Sequence, residues 1–597
     1  MRLLLPCLAL AAATLALPAA AQTPAWTGGA QSVNPTPTNN TDAEGAAIAA
    51  DAAGNAYVAG VLGNDNGGTL TRASRTFGPT TLTAQGTFVS GVLAKLSPAQ
   101  QWLWAVGANS TGEGASFEYV ALSAAGDVYA AGDAEEDDLL FPNGGPVVSV
   151  GSFTYTTVAA ESVFLTRLNA ATGQPQWLVG LPRTDIRRMQ WDAVAGNLVV
   201  VGEYYDGLTI GSTVLPAAPQ GGFFVARLSA AGQWLSALGV TLTGTSNSTD
   251  LDFSAAAVGP QGQVAVNFSF RSGTLTLGST VVTSTGTNTE DEKIVMAQLS
   301  PAGQWQWVTQ PTRGLYSPHD LEYDRTGGGL WLLGGAGTNP SLQFGPDIVP
   351  NGYEFLARVS STGSFQNVYP IASTNPNSTN STSETYSLTV DGQNHAIVVG
   401  GLGPGSTTTF SGADRVLTLM AGNAVRTYVA RRSPNFTGDW TYAQLAPLPV
   451  ALAGSTDAGR YYIEDAALDG AGNLLGVGDL LGSLTLGATT LTSSRGGDLL
   501  VARLSSAGTP VAVRQPAGAP RLALFPNPVA AGRAATLRLP APTKAALPVR
   551  LRDALGRTVR AATLPAGQQQ LNLPTAGLAP GLYQLEAGLS RAQIVIE

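Results

Sequence analysis

The chain has 597 residues, with 31 Lys and Arg against 40 Asp and Glu and a formal net charge of −9. This acidic balance excludes the basic face that a nucleic-acid-binding protein needs. The single Cys and the two His exclude Cys/His zinc sites, thiol nucleophiles and c-type haem. The 72 glycines and the low charged fraction of 12% favour many short strands joined by turns over a helical bundle.

Residues 1 to 21 predict a secretory signal peptide. Arg2 provides the positive start, an apolar stretch follows, and small residues precede a cleavage site between Ala21 and Gln22. A transmembrane anchor is the alternative, but the apolar run is short and is followed by proline and glutamine. Because Cys7 lies within this segment, the mature chain has no cysteine and no disulfide. No later segment is apolar for ~18 residues, so we predict no transmembrane anchor in the mature chain.

An internal repeat dominates the rest of the chain. A turn of the form Asp-x-x-Gly-Asn, followed by a short apolar strand that ends in Gly, occurs at Asp51 to Gly60. With some drift it returns six times, so that the turns lie near residues 54, 126, 196, 262, 328, 394 and 472. Such a fixed period indicates seven copies of one structural unit.

Three more elements recur along the units: a strand with a Leu-Gly or Phe-Gly pair, a third strand that ends in Arg or Lys in six units and in Gln298 in the fourth, and a fourth strand with an aromatic residue. With the strand after the turn, they predict one four-stranded antiparallel sheet per unit. The basic residues are Lys95, Arg167, Arg227, Arg358, Arg431 and Arg503, and the aromatic ones include Trp102, Trp177, Trp234, Trp305, Phe365 and Trp440.

A single sheet of this kind buries both faces only between two neighbours. We therefore predict an all-β chain in which residues 22 to 515 form a seven-bladed β-propeller of four-stranded blades. An open solenoid of the same units is the alternative. The segment around Trp26 is similar to the fourth strand, and we expect it to pair with the last blade near Val511 to Val513 and to close the ring.

The quoted motifs carry a family resemblance. The pattern Asp-x-x-Gly-Asn-x-Tyr-Val-x-Gly, followed later by Phe-Val-Ala-Arg-Leu-Ser, resembles the bacterial seven-bladed beta-propeller (SBBP) repeats. The resemblance covers roughly residues 25 to 515, and it implies the fold but no activity.

After a linker at residues 516 to 521, residues 522 to 597 carry different motifs. Their order at the end of the chain resembles the type A C-terminal sorting domain of the type IX secretion system of Bacteroidetes. The matching residues include Pro526, Asn527, Pro528, Gly556, Arg557, Pro580, Gly581 and Tyr583. The resemblance implies recognition by the outer-membrane translocon and a secreted or outer-surface location reached through the periplasm. The pattern itself predicts a small Ig-like β-sandwich of six or seven short strands, and a merely stabilising appendage is the alternative.

Charge divides the chain in the same way. Residues 520 to 597 contain nine Lys and Arg and three Asp and Glu, a net charge of +6. Without Arg2, the preceding part of the chain therefore has a net charge of −16. The overall charge of −9 hides an acidic body and a basic tail.

Two acidic loops are candidate metal sites. Asp65 lies in a Gly-rich and Asn-rich loop of the first unit, and Asp133, Glu135 and Asp137 lie in the equivalent acidic segment of the second unit. Oxygen ligands of this kind suit Ca²⁺, but neither stretch matches an EF-hand loop, so solvated surface charge is the favoured interpretation. No other cofactor is predicted, and His319 and His395 are interpreted as incidental.

The repeated polar and aromatic residues have structural explanations. We expect the basic residue of each unit to contact a neighbouring carboxylate or carbonyl group, and the first Asp of each turn to accept a hydrogen bond from the backbone two residues later. We expect the repeated tryptophans to pack between adjacent sheets rather than to form a carbohydrate-stacking platform.

These patterns favour a secreted or cell-surface binding or scaffold protein, whose partner is an extracellular glycan or protein. They assign no catalytic residue and do not predict an enzyme. Two alternatives remain: an extracellular enzyme with an acidic site over the propeller channel, and a structural or adhesive matrix protein. Several non-repeating carboxylates converging in one pocket would favour the enzyme.

Overall fold

The computed structural model describes residues 24–36, 41–63, 73–85, 89–135, 145–159, 161–244, 251–285, 292–337, 341–374, 383–411, 416–422, 425–434, 440–452, 459–494, 496–506, 523–527, 529–530, 532–539, 541–552, 558–578, 581–587 and 590–596. The chain divides into two compact parts, Pro24–Ser506, and Ala507–Glu597 with Met1–Thr23. In the described ranges all regular secondary structure is β-strand.

The first compact part contains 43 strands in its described residues. The strands that begin before residue 200 are β1 (Ala25–Gln31), β2 (Asp42–Ala50), β3 (Ala56–Gly63), β4 (Ser74–Phe77), β5 (Thr80–Thr83), β6 (Val89–Leu96), β7 (Trp102–Ser110), β8 (Gly114–Ala115), β9 (Tyr119–Leu122), β10 (Val128–Glu135), β11 (Val147–Val150), β12 (Phe153–Thr156), β13 (Ser162–Leu168), β14 (Pro175–Leu181), β15 (Thr184–Asp192) and β16 (Asn197–Asp206). The next are β17 (Thr209–Ile210), β18 (Thr213–Val214), β19 (Ala218–Ser229), β20 (Trp234–Thr241), β21 (Leu251–Val258), β22 (Val264–Phe270), β23 (Ser272–Leu277), β24 (Thr280–Thr285), β25 (Lys293–Leu299), β26 (Trp305–Thr309), β27 (Tyr316–Tyr323), β28 (Gly329–Ala336), β29 (Leu342–Phe344) and β30 (Asp347–Val349). The last are β31 (Glu354–Ser360), β32 (Phe365–Thr374), β33 (Ser383–Val390), β34 (Ala396–Leu402), β35 (Thr407–Ser411), β36 (Val416–Met420), β37 (Arg426–Arg432), β38 (Trp440–Leu445), β39 (Arg460–Leu468), β40 (Leu474–Leu481), β41 (Ser483–Leu486), β42 (Thr489–Thr492) and β43 (Asp498–Ser505).

The main strands pair as seven antiparallel four-stranded arrangements within the described residues, here called repeats 1 to 7. In strand order they are β2-β3-β6-β7, β9-β10-β13-β14, β15-β16-β19-β20, β21-β22-β25-β26, β27-β28-β31-β32, β33-β34-β37-β38 and β39-β40-β43-β1. The short strand β8 pairs with both β6 and β10 and so joins repeats 1 and 2 into one larger sheet, to which the hairpin β11–β12 adds beside β7.

Hydrophobic packing links each repeat to the next. In the described residues, each of seven apolar clusters combines side chains of two neighbouring repeats, and one cluster joins repeat 7 to repeat 1. The first strands also contact one another in a closed circuit, from β2 through β9, β15, β21, β27 and β33 to β39 and back to β2. Each sheet is therefore buried on both faces, and this part of the chain has an all-β, propeller-like fold.

One strand of each repeat differs from the prediction. The Leu-Gly and Phe-Gly segments do not belong to the four-stranded sheet of their own repeat but form peripheral hairpins, such as β4–β5, which turns at Gly78 with a φ of +54°. The hairpins β11–β12 and β35–β36 extend the sheet of the preceding repeat. A left-handed φ favours glycine, which explains the recurrent pair. The fourth sheet member is instead the strand before the Asp turn. Several hairpins bond to the preceding repeat, for example through the Thr243–Thr274 bridge.

The last repeat is completed by the first strand of the chain. Trp26 lies opposite Leu504, and the pairing runs on to Gln31 and Leu500. The prediction that this segment closes the last repeat is confirmed, but its partner is β43. Residues 511 to 513, which were the predicted partner, lie outside the described residues. Because β1 takes the place of the fourth strand, Trp26 corresponds to the aromatic residue of the other repeats.

The described residues of the second compact part form a two-sheet sandwich. Its strands are β44 (Ala523–Phe525), β45 (Ala534–Arg538), β46 (Leu547–Arg552), β47 (Thr558–Leu564), β48 (Gln570–Pro574), β49 (Gly581–Ala587) and β50 (Ser590–Ile596). The sheets β44-β45-β48 and β47-β46-β49-β50 share one apolar core, which includes Leu537 and Leu585. The Asn527 side-chain oxygen accepts a hydrogen bond from the Val595 N–H at 2.9 Å, so the first and last motifs of the tail meet.

Candidate functional site

The first strand of every repeat contains one extra residue at an equivalent position, which forms a β-bulge. In six repeats the pairing register shifts there, and in repeat 2 both Glu118 and Tyr119 lie opposite Ala131. The extra residues are Ala46, Glu118, Arg187, Ser254, His319, Tyr386 and Glu464. Bulges re-aim side chains and often lie next to binding sites. The position is therefore fixed by the repeat, whereas its chemistry differs from repeat to repeat.

The bulge explains the glycine that ends the repeated apolar strand. A Cβ atom on Gly478 would lie 2.0 Å from the Tyr462 carbonyl oxygen of the bulged strand, and one on Gly132 would lie 2.0 Å from the Ser116 carbonyl oxygen. Only glycine lets the two backbones approach so closely. Repeat 4, which has Phe268 at this position, is the exception.

We expect Gly478→Ala to destabilise the protein by roughly 2 to 3 kcal/mol, because the new methyl group overlaps a backbone carbonyl that cannot move freely. Gly392→Ala is the matched control, since a Cβ there meets nothing within 4 Å, and we expect it to change stability by less than ~0.5 kcal/mol. Urea unfolding followed by tryptophan fluorescence measures both. Equal effects of the two substitutions would contradict the bulge explanation.

At the bulge of repeat 5, three polar side chains from different strands form one network. His319 Nδ1 lies 2.7 Å from the Thr385 hydroxyl oxygen and 3.2 Å from Glu354 Oε2. The Thr385 hydroxyl donates a hydrogen bond to Glu354 Oε2 at 2.7 Å. Thr385 and Glu354 are buried, whereas the His319 side chain is 25% exposed. Burial lowers the pKa of His319, but the hydrogen bond and charge of Glu354 outweigh it, so its pKa is raised.

These residues line a cavity of about 530 Å³, here called the mouth cavity. Its other lining residues include Ser317, Gly335, Glu384, Tyr386 and Glu464. Lys and Arg do not occur among its described lining residues. Burial, and then the charges of Asp479, Glu44 and Glu384, raise the pKa of Glu464. Carboxylates of repeats 6, 7 and 1 are therefore close enough to repel one another, and this side of the mouth is acidic.

The bulge of repeat 3 has the opposite charge. Arg187 Nη2 lies 2.9 Å from both Asp185 Oδ2 and Glu203 Oε2. Burial lowers the pKa of Arg187, but these two carboxylates raise it overall. Arg187 therefore neutralises carboxylates of its own repeat rather than those around His319.

A second cavity, of about 390 Å³, lies between the first strands and is here called the channel cavity. Residues of β2, β9, β15, β27, β33 and β39 line it. Arg188 contacts Asp320 at 3.5 Å and Glu322 at 3.2 Å, across from repeat 3 to repeat 5. Asp465 of repeat 7 accepts hydrogen bonds from the Ile48 N–H and from Ser387. Polar contacts thus tie five repeats together across the channel.

Glu322 should make stability depend on pH. Burial raises its pKa from 4.5 to about 7, although Arg188 opposes the shift. The folded chain holds this proton more tightly than the unfolded chain, so stability falls as pH rises from 4.5 to 7, by about 3 kcal/mol at 1.4 kcal/mol per pKa unit. In urea unfolding, Glu322→Gln should therefore gain about 2 to 3 kcal/mol relative to wild type between pH 5 and pH 8. A difference that stays constant with pH would contradict this assignment.

The repeated polar residues have the structural roles that the sequence predicts. Asp51 Oδ1 accepts hydrogen bonds from the backbone N–H groups of Ala53 and Asn55 at 3.0 and 2.9 Å. Arg227 bonds Asp192 at 2.6 Å and the Gly262 carbonyl of the next repeat at 2.9 Å. Ion pairs within one repeat also form between Arg167 and Asp127, Arg358 and Asp324, and Arg503 and Asp469. Arg167 and Arg503 also donate to the Ala230 and Pro98 carbonyl groups of the next repeat at 2.9 and 3.1 Å, so these arginines, like Arg227, connect neighbouring repeats.

The repeated tryptophans also serve packing. Trp104 donates its indole N–H to the Ala170 carbonyl of the next repeat at 3.1 Å, and Trp177 donates to Ala230 at 3.0 Å. Trp440 is fully buried. Packing between neighbouring repeats, as predicted, explains these residues without a stacking ligand.

Of the predicted metal ligands, Asp133 lies on β10, where its N–H donates to the Ser116 hydroxyl at 3.1 Å. Asp65, Asp137 and the side chain of Glu135 lie outside the described residues. Among the described residues no group of three or more Asp, Glu, His or Cys side chains could hold a metal ion.

Several predicted processing and sorting residues can be placed. Asn527 accepts a hydrogen bond from the last strand, and Pro526, the residue before Asn527, is exposed. Tyr583 is buried in the sandwich core, and Gly581 begins β49. Predicted residues outside the described ranges are Ala21, Gln22, Pro528, Gly556, Arg557 and Pro580.

His319 is the main functional candidate that the sequence analysis missed. It was interpreted as incidental because it has no second His or Cys nearby in the sequence. Its partners Glu354 and Thr385 come from other strands, 35 and 66 positions along the chain. The sequence offered one indication. His319 lies two residues before the apolar core of β27, and the other repeats have unrelated residues at the equivalent position.

Comparison with protein-family models gives no match, and comparison with curated proteins gives none either. Solved structures show distant likeness. Hydrazine synthase from Kuenenia stuttgartiensis has a TM-score of 0.32 and 8% identity, over 64% of this chain and 86% of that one. A protein of unknown function from Dyadobacter fermentans has a TM-score of 0.29 and 10% identity, over 65% and 93%. A copper-bound fungal alcohol oxidase of the AA5 family has a TM-score of 0.30 and 12% identity, over 96% and 99%. Likeness this weak carries no argument about function. Within the described ranges no helix is long and apolar enough to cross a membrane.

Proposed function

We propose that this chain is an exported seven-bladed β-propeller that binds an extracellular glycan or protein at its mouth cavity. The seven four-stranded repeats and the closed circuit of first strands support the ring. The observation that carries the binding site is the convergence of His319, Glu354, Glu384 and Glu464 in one cavity. Of these, His319 and Glu354 have no counterpart at the equivalent positions of the other repeats, whereas glutamates recur at the positions of Glu384 (Glu44) and Glu464 (Glu118). The fold alone therefore does not require His319 and Glu354.

The charge of the cavity limits the ligand. Three glutamates line it and no Lys or Arg does, among the described residues. An anionic ligand would be repelled, whereas an uncharged or cationic group would be accepted. We therefore expect neutral or basic glycans and basic protein surfaces to be preferred over uronates, sulfated glycans and phosphates.

A glycan and surface-protein array tests this proposal. The wild type should bind, and Glu384→Gln/Glu464→Gln should lose at least about tenfold in affinity, which corresponds to 1.4 kcal/mol. Asp347→Asn, on the peripheral hairpin of repeat 5, is the control and should bind like wild type. Binding that does not depend on the two glutamates would overturn the site. Absence of any binding would favour the matrix hypothesis.

The export route is a separate proposal. The signal-peptide pattern, the resemblance of the tail to a type IX sorting domain and the sandwich built by its described residues support it. In a bacterium with this system, deletion of residues 520 to 597 should leave folded protein in the periplasm. Mass spectrometry of the exported wild type should find Gln22 at the N-terminus. Normal surface delivery of the truncated chain would contradict the sorting assignment.

A further inference from the structure

The network around His319 has the organisation of an acid–base site. Thr385 uses its hydroxyl hydrogen to bond Glu354, so its oxygen can only accept a hydrogen bond from His319 Nδ1. This contact, with Glu354 Oε2 at 3.2 Å, assigns the Nδ1–H tautomer to neutral His319. A buried carboxylate at Nδ1 also stabilises the imidazolium form.

The other ring nitrogen is available for chemistry. Thr385 and Glu354 both contact Nδ1, and no hydrogen bond joins Nε2 to another described residue. The ring lines the mouth cavity and is 25% exposed. In the Nδ1–H tautomer, Nε2 carries a lone pair that can accept a proton. A water molecule or a ligand in the cavity can therefore reach it.

The repeat does not require these three side chains. At the bulge, other repeats have residues such as Ala46 and Ser254 in place of His319. At the position of Thr385, directly before the bulge, the others include Gly45 and Ile463. The repeat pattern therefore does not account for the meeting of a histidine, a buried hydroxyl and a buried carboxylate at this place.

We propose that the mouth cavity hydrolyses uncharged carboxylic esters, with His319 as the catalytic acid–base and with Glu354 and Thr385 as positioning residues. This proposal rests on the mouth cavity being the ligand site. Nε2 accepts a proton from water while the water oxygen forms a bond to the acyl carbon. The bond from that carbon to the alkoxy oxygen then breaks, and Nε2–H returns the proton to the leaving alkoxide. The products are a carboxylic acid and an alcohol, and no oxidant or metal is needed.

The charge of the cavity selects among substrates. Glu384 and Glu464 face the same space as His319, so they would repel an ester that carries its own carboxylate. Single-chain esters without charge, and esters of glycan hydroxyl groups, fit the ligand preference inferred above. Phosphate esters and uronate esters with free carboxylates do not.

The chain contains only two histidines, which makes the experiment simple. Hydrolysis of p-nitrophenyl acetate by the full-length protein should fall by about 10² or more in His319→Gln, the usual contribution of a general base. His395→Gln is the matched control, because His395 bonds Asp391 through Nδ1 at 2.7 Å in a repeat turn, and it should hydrolyse within twofold of wild type. The mono-p-nitrophenyl ester of succinate should react at least about tenfold more slowly than the acetate.

The positioning residues need a different readout. The rate should rise with pH through the pKa of His319, and Glu354→Gln should move this inflection to lower pH as well as reduce the plateau. Thermal unfolding of each variant checks that the fold persists. A wild-type rate no higher than that of His319→Gln, or an inflection that Glu354→Gln does not move, would overturn the proposal. Array binding that still depends on Glu384 and Glu464 would then leave the binding function standing without catalysis.

Discussion

Removal of residues 24 to 33 will destabilise the first compact part by roughly 5 kcal/mol or more. The deletion takes away the outer strand of repeat 7, whose ladder runs from Ala25–Ser505 to Gln31–Leu500. Each net hydrogen bond contributes about 1 kcal/mol to the free energy of unfolding, and a packed Trp side chain contributes about 3 kcal/mol. The deletion therefore removes a large part of the free energy of unfolding of any protein. Trp26 also packs edge-on against Tyr461, with ring centroids 6.5 Å apart. The exposed edge of β43 should promote association.

This prediction is measured by urea unfolding and size-exclusion chromatography of the deletion variant. A synthetic peptide of residues 24 to 36, added in excess, should restore the elution volume and part of the stability. The same peptide with Trp26→Ala should restore much less. A deletion variant that stays monomeric with wild-type stability would show that β1 does not close the ring.

Loss of one partner in a buried ion pair should have the second large effect. Arg75 of the repeat 1 hairpin lies 2.9 Å from Asp498 at the start of β43, and both side chains are at most 2% exposed. Arg75 also donates to the Gly497 carbonyl at 2.9 Å and to Thr41. Arg75→Met would remove the cation that pairs with the buried Asp498 carboxylate and the donor of the Ser74, Thr41 and Gly497 carbonyl groups, at a cost of about 3 to 5 kcal/mol.

An exposed pair provides the matched control. Arg183 and Asp206 are 2.7 Å apart, but their side chains are 38% and 61% exposed. Arg183→Met should therefore change the free energy of unfolding by less than ~1 kcal/mol. Arg75→Met/Asp498→Leu should be less destabilised than Arg75→Met alone, because no charge is left unpaired. Similar effects of Arg75→Met and Arg183→Met would contradict a special role of the buried pair at the closure between repeats 7 and 1.

The sequence predicts those features that depend on local chemistry. The Asp51 turn, the Arg227 contacts and the Trp104 packing recur because the repeats need the same turn, the same contacts with the next repeat and the same packing between sheets. The first strand of each repeat was missed because its residues vary, as the inner strand faces a channel whose chemistry differs around the ring. The hairpins were counted as sheet members because a Leu-Gly or Phe-Gly pair marks a turn without showing which strands it joins.

The mouth cavity could not be predicted from the sequence for a related reason. The bulge position is occupied by a different residue in each repeat. The bulge is indicated only by the glycine on the paired strand, such as Gly334, which most repeats share because the two backbones approach closely there. His319, Glu354 and Thr385 meet only because antiparallel pairing brings three strand ends to one side of repeats 5 and 6. The spacing of these residues along the chain does not indicate that they lie close together in the fold.

The most direct test of the mouth site is a proton NMR titration of the two histidine Cε1–H resonances, assigned with His395→Gln. We predict that the His319 resonance titrates with a pKa above the ordinary value of about 6.5, that Glu354→Gln lowers this pKa, and that the resonance moves when an array ligand is added. A His319 resonance that titrates at or below this value, and that responds neither to Glu354→Gln nor to the ligand, would contradict the site.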